Sequence, residues 1–491
     1  MQSWELYHHA KAARDAGDFA VVFDCLRQVA ALPAPERLDP RLGNAFGWLI
    51  YACGKQCLPP QPQWGIAPRP SDRNPDLPAA MQVHQLLAWA QCLHYDWQQA
   101  PNPYGLLLRL ALKARKQYPH FLGFVDWWNL DRLGFDDYRP FTPPGGEPIP
   151  ALAEQAYMGV AKHLLDGYGP AGLLPDGQID RPAIEAFLPR LAGVIAAYPA
   201  FVYLPYLRAQ LWLALDRPAE ALADLLPFTR GQIHQFWAWD WLGRTYYRLG
   251  RTEAARACFA RALTERAPAE MVVLTRERYA RLCRDTGLDA EARAAFESVI
   301  RTRRQHWARV PQRLADIEAS DWYRDTPPAT PAEAMVQQLA RGARDLLYED
   351  LPEELAVVTA VRADKDMAWY RLDRNRSGNL RLHELGETLQ PGDALRLRVQ
   401  ARPGRQEVWH QVLTARRSQE PPPAALARSF YGRLDRRPDQ DFAFVDRTYF
   451  VPAPLCQSLA NGTRVQGLAV QDYDRKRARW GWSVVRLAAI E

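Results

Sequence analysis

The chain has 491 residues, 48% apolar and 24% charged, a composition typical of folded proteins rather than of disordered chains. This length exceeds one compact core and predicts two to four domains. The N-terminus has an early acid and no apolar h-region, and the longest uncharged run, 191–207, is short and broken by prolines, so neither a secretory signal nor a membrane span is predicted.

Charge and cysteines suggest a location and a partner. The seven cysteines are scattered without a CxxC pair, which favours reduced thiols in a cytoplasm and predicts no metal site. Residues 351–491 contain 23 Lys+Arg against 17 Asp+Glu, whereas residues 1–350 contain 39 of each. Of the 23 basic residues, 21 are arginine, which pairs with phosphate and stacks on bases. An anionic partner and an arginine-rich genome explain this excess about equally well.

Residues 1–318 are predicted to be all-α and to contain a repeat. The stretch 239–263 has the spacing of the tetratricopeptide consensus, carried by Trp239, Leu242, Gly243, Tyr246, Gly250, Ala255, Phe259 and Ala262. Weaker copies have Asp216, Gly287 and Gly17 at their turns. This region resembles a tetratricopeptide-repeat (TPR) helical solenoid, and the resemblance implies stacked helical hairpins that offer a surface to a protein partner.

Two segments interrupt the predicted helices. The proline-rich residues 58–79 predict an extended insertion between helices. The aromatic segment 120–145 contains the pair Trp127–Trp128, which we interpret as helix-packing core, with an aromatic recognition pocket as the alternative.

Helical periodicity ends after residues 319–350, which predict a linker and one amphipathic helix. Alternating, β-branched runs at 355–361, 394–400 and 407–415 then predict an OB-like or S1-like β domain over 351–418. A proline run separates it from a second strand-rich block. That block, 428–491, is predicted to be another small barrel.

The segment 373–384 satisfies the spacing of a calcium-binding EF-hand loop, with Asp373 at its first position and Glu384 at its last. Three arginines inside the loop and strand-like flanks argue against an ion. The competing interpretation, which we prefer, is a hairpin whose turn is 374–378. No cofactor is predicted anywhere in the chain.

Residues 440–452, QDFAFVDRTYFVP, alternate large aromatics with small or charged residues at strand period. Phe442 and Phe444 therefore share one face. A core strand is the alternative, and it would place Asp441, Ala443 and Val445 outside.

The final block resembles a cold-shock domain, a five-stranded OB barrel, and within that class the modules of exoribonucleases and of the termination factor Rho. In that family, rings on the second and third strands stack bases. The resemblance implies that Phe442, Phe444 and Phe450 are the stacking rings. Asp441, Arg436 and Pro452 depart from the family pattern, which bears on sequence specificity rather than on the barrel.

Cations and indoles alternate near the C-terminus. Together with Arg447, the predicted nucleic-acid contacts there are Arg475, Lys476, Arg477, Arg479, Trp480 and Trp482. The alternative is a solvated turn with one buried tryptophan.

Helical repeats followed by two OB-like domains resemble bacterial proteins of conflict and stress-response neighbourhoods, including phage-defence operons. No catalytic motif is recognisable. We therefore expect a non-enzymatic adaptor. Its barrels, 351–491, would bind RNA or single-stranded DNA, and its helical repeats would recruit a protein. The alternative is a protein–protein scaffold with the barrels as spacers.

Overall fold

A computed structural model describes residues 2–37, 39–58, 77–97, 102–143, 146–169, 172–175, 178–331, 333–385, 387–403, 408–437, 440–474 and 479–490. Most of the predicted insertion 58–79, and Arg475, Lys476 and Arg477, lie outside these residues. The chain divides into two compact units, Met1–Leu339 and Ala340–Glu491, and each is described by itself.

The first unit is mostly helical, as predicted. Its helices are α1 (Gln2–Asp15), α2 (Phe19–Ala30), α3 (Ala34–Arg37), α4 (Pro40–Cys57), α5 (Leu77–Gln91), α6 (Tyr104–Ala114), α7 (Phe121–Trp128), α8 (Leu152–Leu165), α9 (Arg181–Ala197), α10 (Tyr203–Ala214), α11 (Pro218–Gly231), α12 (Phe236–Arg248), α13 (Thr252–Thr264), α14 (Val273–Asp285), α15 (Asp289–His306), α16 (Gln312–Ala319) and α17 (Asp321–Asp325). A small antiparallel pair, β1 (Tyr168–Gly169) and β2 (Gly172–Leu173), follows α8. α18 (Glu333–Leu346) spans the division between the units. Among the described helices, none has both the length and the apolar character that crossing a membrane requires.

Several consecutive helices pair as hairpins, namely α1 with α2, α10 with α11, α12 with α13 and α14 with α15. The residue at each turn has a left-handed backbone, with φ of 76° at Gly17, 61° at Asp216, 72° at Gly250 and 75° at Gly287. That conformation ends a helix sharply, and glycine adopts it without steric strain. The predicted turns are therefore at the expected positions.

The helix contact between α12 and α13 depends on a glycine. A Cβ atom at Gly243 would lie 2.8 Å from the ring of Phe259. The other helical consensus positions are also buried, namely Trp239, Leu242, Tyr246, Ala255, Phe259 and Ala262. The packing is the one that the repeat pattern predicts, while membership in the TPR family stays a prediction.

The Trp127–Trp128 pair packs inside the helical unit. Trp128 stacks on Tyr104 at 4.2 Å between ring centroids, and its indole N–H donates to the Tyr104 carbonyl at 3.0 Å. Trp127 is half-buried and lies edge-on to Tyr95 and Trp97. These contacts favour the packing interpretation over a recognition pocket.

The second unit contains two small barrel-like β domains, as predicted. The first has β3 (Glu354–Arg362), β4 (Met367–Arg371), β5 (Ser377–Arg381), β6 (Ala394–Pro403) and β7 (Val408–Arg417), with the short α19 (Leu382–Leu385) after β5. Its strand order is β5-β4-β3-β6-β7, and β5 also contacts β7.

The second domain is a closed barrel. It consists of β8 (Ala427–Asp435), β9 (Ala443–Val445), β10 (Tyr449–Val451), β11 (Arg464–Asp474) and β12 (Arg479–Ala489), with α20 (Ala453–Cys456) after β10. The order is β10-β12-β11-β8-β9, and the parallel pairing of β10 with β12 closes it.

The EF-hand-like segment forms a hairpin, because β4 and β5 pair antiparallel on either side of it. Asp373 accepts hydrogen bonds from the backbone N–H groups of Asn375 and Arg376, both at 2.8 Å. The Arg376 guanidinium also bonds to Asp373 at 2.6 Å and reaches Glu354 through two bonds of 2.9 and 2.6 Å. The first carboxylate of the supposed ion loop is thus engaged by an internal cation. The predicted hairpin is confirmed.

Candidate nucleic-acid interface

The hairpin β9–β10 has its small apolar residues inside and its phenylalanines outside. Ala443, Val445 and Val451 are buried in the barrel core. Alternation along each strand then directs Phe442, Phe444 and Phe450 to the opposite face. The core-strand alternative required Ala443 and Val445 to be outside, and the structure contradicts it.

The three phenylalanines form one cluster, called the phenylalanine triad below. Their ring centroids are 5.9 Å apart for Phe442–Phe444, 5.5 Å for Phe442–Phe450 and 5.8 Å for Phe444–Phe450. Phe450 is 37% exposed, and the other two are half-buried. Aromatic faces grouped outside a core are suited to stacking, because every nucleobase has a π-face.

The turn beside the triad has an unusual backbone. Asp446 and Arg447 both have positive φ, 49° and 53°, and the N–H of Thr448 donates to the carbonyl of Val445 at 3.1 Å. Two left-handed residues in succession match the twist of a tight hairpin. Both side chains are exposed, so the predicted contact Arg447 lies at the hairpin tip.

Charges next to the triad are mixed. Asp435, which pairs with Phe444 across β8 and β9, is exposed, as is Asp441. Further along the same outer face, Arg433 of β8 lies directly opposite Arg464 of β11, and both are exposed. Like charges in that register repel each other, and a phosphate between them would remove the repulsion. The members of this pair are 31 residues apart (464 − 433), so no local pattern in the sequence predicts it.

The two C-terminal tryptophans have different surroundings. Trp480 is half-buried, edge-on to Tyr473 at 5.3 Å, and lies under the Arg371 guanidinium of the first β domain at 4.7 Å. Trp482 packs against the core of its own barrel, under Arg428 at 4.6 Å. Arg479 is exposed. We therefore retain Arg479 and Trp480 as candidate contacts and assign Trp482 mainly to packing.

An ion-pair network joins the two β domains. The Asp393 carboxylate is almost fully buried and accepts hydrogen bonds from Arg417 at 3.1 Å and Arg486 at 2.6 Å. Burial alone would raise the pKa of Asp393, but the backbone N–H of Gln390 and the two guanidiniums outweigh burial and hold this pKa below its usual range. The negative charge is thus retained inside the junction.

Apolar contacts complete this junction. Val357 of the first domain packs with Leu426, Ala427 and Val470 of the second. A Cβ atom at Gly392 would lie 2.5 Å from a Leu468 methyl group, so the backbone there approaches the second barrel closely. The two β domains are therefore docked on each other.

A cavity of about 440 Å³ opens at this junction. Its lining includes Trp369, Arg371 and Asn379 from β4 and β5, and Asp472 and Ser483 from β11 and β12. Burial lowers the pKa of Arg371, and its Nε has no hydrogen-bond partner in the described part of the chain. This Nε atom is itself buried, so it marks a cation held beside the cavity rather than an exposed donor.

The triad and the cavity lie on neighbouring strands. Phe450 of β10 pairs with Ser483 of β12, which lines the cavity. On the other side of the cavity, Trp369 and Arg371 occupy the second strand of the first domain. In OB barrels the second and third strands form the oligonucleotide-binding face. The outer faces of the two domains thus meet at the cavity.

The sequence of β4 predicts that Trp369 and Arg371 point outward. In MAWYRL, Ala368, Tyr370 and Leu372 are buried, so alternation directs Trp369 and Arg371 outward, as in the aromatic hairpin of the second domain. Trp369 and Arg371 are not among the predicted contacts, although the same alternation applies to them.

Comparison with protein families identifies three matches. Residues 348–412 match S1/CSD-like domain 1 of the TOTE conflict systems, and residues 428–487 match S1/CSD-like domain 2 of the same systems. Residues 202–343 match a domain of unknown function, DUF7017. No curated protein matches the chain. Two S1/CSD-like domains thus follow a helical region.

Proposed function

We propose that the two S1/CSD-like domains bind RNA or single-stranded DNA, and that the protein is a non-enzymatic adaptor of a conflict system. The observation that carries the proposal is the phenylalanine triad, three large apolar rings outside a barrel whose core is complete without them. The matches to S1/CSD-like domains of the TOTE conflict systems support the conflict-system context.

The bound strand would follow the joined outer faces. Bases stack on Phe442, Phe444 and Phe450, and the strand passes Ser483 to reach the junction cavity. There Arg371 meets a phosphate and Trp369 offers a further ring. Stacking and cation contacts are both tolerant of sequence, so we expect modest sequence preference.

We further propose that the helical repeats recruit a protein partner. The helical hairpins with left-handed turns support a repeat architecture of the TPR kind, in which stacked units form an extended binding surface.

In the second β domain, four basic residues would add nonspecific attraction for phosphate, namely Arg475, Lys476, Arg477 and Arg479.

The test uses the full chain and fluorescence anisotropy with labelled RNA, single-stranded DNA and duplex DNA of about 20 nucleotides, since one OB fold covers about 4–16. Phe444→Ala should weaken single-strand binding roughly 5- to 150-fold, because stacking contributes about 1–3 kcal/mol per base. Phe141→Ala, which removes an exposed ring of the helical unit, is the control and should bind as the wild type does.

Two results would contradict the proposal. If the wild type binds none of the probes at low salt, the scaffold alternative with the barrels as spacers is favoured. If Phe444→Ala and the wild type bind equally, the triad is not the binding face.

A further inference from the structure

A second cavity lies within the helical unit and has no place in the proposed function. Its volume is about 420 Å³, and α12, α14 and α16 contribute to its walls. Five of its lining residues are arginines, namely Arg244, Arg248, Arg278, Arg281 and Arg284. Among the described lining residues, Asp285 is the single carboxylate.

Helical spacing brings the arginines together. Arg244 and Arg248 are four residues apart on α12, and Arg278, Arg281 and Arg284 follow at steps of three on α14, so each group lies along one helix face. The two helices belong to successive hairpins.

Arg244 is the most confined of these cations. Its guanidinium lies 3.5 Å from the ring centroid of Trp241, and among the described residues no carboxylate accepts a hydrogen bond from it. The nearby Asp240 carboxylate is engaged by Arg278, at 2.9 Å to each oxygen. Burial, together with the charge of Arg278, lowers the pKa of Arg244 to about 10. The positive charge in the cavity is therefore only partly compensated.

The remaining arginines are partly engaged but keep hydrogen-bond capacity; Arg248, for example, donates to Asp216 at 3.1 Å through one nitrogen. Arg281 donates to Glu277 at 3.0 Å, but Glu277 also receives two bonds from Arg313. Arg284 lies over the ring of Trp322 at 4.5 Å, which fixes its plane and leaves its N–H groups for other acceptors.

We propose that this cavity binds a phosphate-bearing ligand of nucleotide size. Its volume is within the range of small-molecule sites, about 300–1,000 Å³. A phosphate group offers three acceptor oxygens to several guanidiniums at once, and the planar fork of arginine matches it bidentately.

Part of the lining is apolar. Phe259, Leu282, Phe296 and Ile317 contribute to it, although Phe259, Leu282 and Phe296 are nearly fully buried behind the cavity. An acidic peptide is the competing occupant, but its carboxylates are spread along a chain, whereas these guanidiniums converge on one open cavity. The proposal does not depend on nucleic-acid binding by the β domains.

Calorimetric titration of the full chain with ATP and with inorganic tripolyphosphate tests it. Both should bind, because they share the triphosphate that the guanidiniums would contact. Arg244→Met, which keeps the side-chain length and removes the charge, should weaken both by about tenfold or more. Its unliganded melting temperature should stay unchanged or rise, because a confined cation is removed. Arg27→Met, at an exposed arginine of α2, is the matched control.

Two further experiments identify the source of the phosphate and cover the case in which Arg244→Met does not fold. An oligonucleotide with a 5′-phosphate, compared with its 5′-hydroxyl form in the Phe444→Ala background, shows whether a strand end is the ligand. Arg284→Met, at an exposed position, repeats the test if Arg244→Met fails to fold. Equal binding of tripolyphosphate by wild type and both variants, or binding of hexaglutamate in place of either phosphate compound, would overturn the proposal.

Discussion

Phenylalanine has opposite locations in the two units of this protein. In the helical hairpin α12–α13, Phe259 is 2% exposed and fills the space beside Gly243, whereas Phe450 of β10 is 37% exposed on a barrel face. Phe259 is the only aromatic residue of α13, whereas Phe450 belongs to the aromatic-rich stretch 440–452. The difference comes from periodicity, since a helix of period 3.6 and a strand of period two direct neighbouring residues to different sides.

The outer rings of the closed barrel are not part of its core. Its core is formed mostly by aliphatic residues such as Ala443, Val445 and Val465, together with the inward ring of Phe430. The helix pair, in contrast, depends on its ring for packing. We expect mutations of the two classes of phenylalanine to separate stability from binding.

The largest expected effect is on the buried ring. Phe259→Ala should lower the free energy of unfolding by about 3–5 kcal/mol, whereas Phe450→Ala should change it by about 0.5 kcal/mol or less. Chemical denaturation measures both, with probes that report on the helical and β units separately. Similar losses in the two variants would remove the distinction drawn here.

A smaller effect is expected at the glycine facing Phe259. Gly243→Leu should destabilise the helical unit by about 1–3 kcal/mol, because the new side chain would overlap the ring. In the Phe259→Ala background the same change should lower the free energy of unfolding clearly less, since the space of the ring is then empty. Additive losses in this double-mutant cycle would show that the repeat register is wrong.

The junction of the two β domains predicts a pH dependence. The pKa of Asp393 is depressed in the folded state, so its contribution to stability is present above the unfolded value of about 3.9 and is lost as the pH falls through the folded value. Each unit of depression corresponds to about 1.4 kcal/mol. Asp393→Asn should therefore lower stability at neutral pH and flatten its decline in acid, measured by denaturation at several pH values. Asp435→Asn, at an exposed carboxylate, is the control, and identical acid profiles for Asp393→Asn and wild type would refute the assignment.

The smallest expected effect is that of calcium. Because Arg376 engages Asp373, millimolar calcium should leave the melting temperature unchanged. A bound ion would add about 2.7 kcal/mol at a hundredfold excess over its dissociation constant. A rise in melting temperature that disappears in Asp373→Ala would identify the hairpin turn as an ion site after all.

Local patterns predicted much of this molecule. The helical hairpins, the two β domains and the outward phenylalanines all follow from periodicity and turn residues, which are properties of short stretches. Contacts between distant residues could not be predicted this way. Asp393 and Arg486 are 93 residues apart, and no spacing rule connects them.

The arginine-lined cavity shows a second limit. Residues 1–350 contain equal numbers of basic and acidic residues, and that total gave no reason to expect an anionic ligand there. A sum over a domain hides local segregation of charge, such as the convergence of Arg244, Arg278 and Arg281 on one volume. Mapping charge along predicted helix faces would have found part of this cluster.

The docking of the two β domains through Asp393 also sets how affinity should depend on ligand length. Sites held at a fixed separation present a second contact at high effective concentration once the first is made, without the entropy loss of a flexible tether. A strand too short to contact both faces has the affinity of one domain alone. A strand just long enough to contact both has the full added affinity of the second contact. If the two domains bind one strand as proposed, affinity should therefore rise in a step at one strand length.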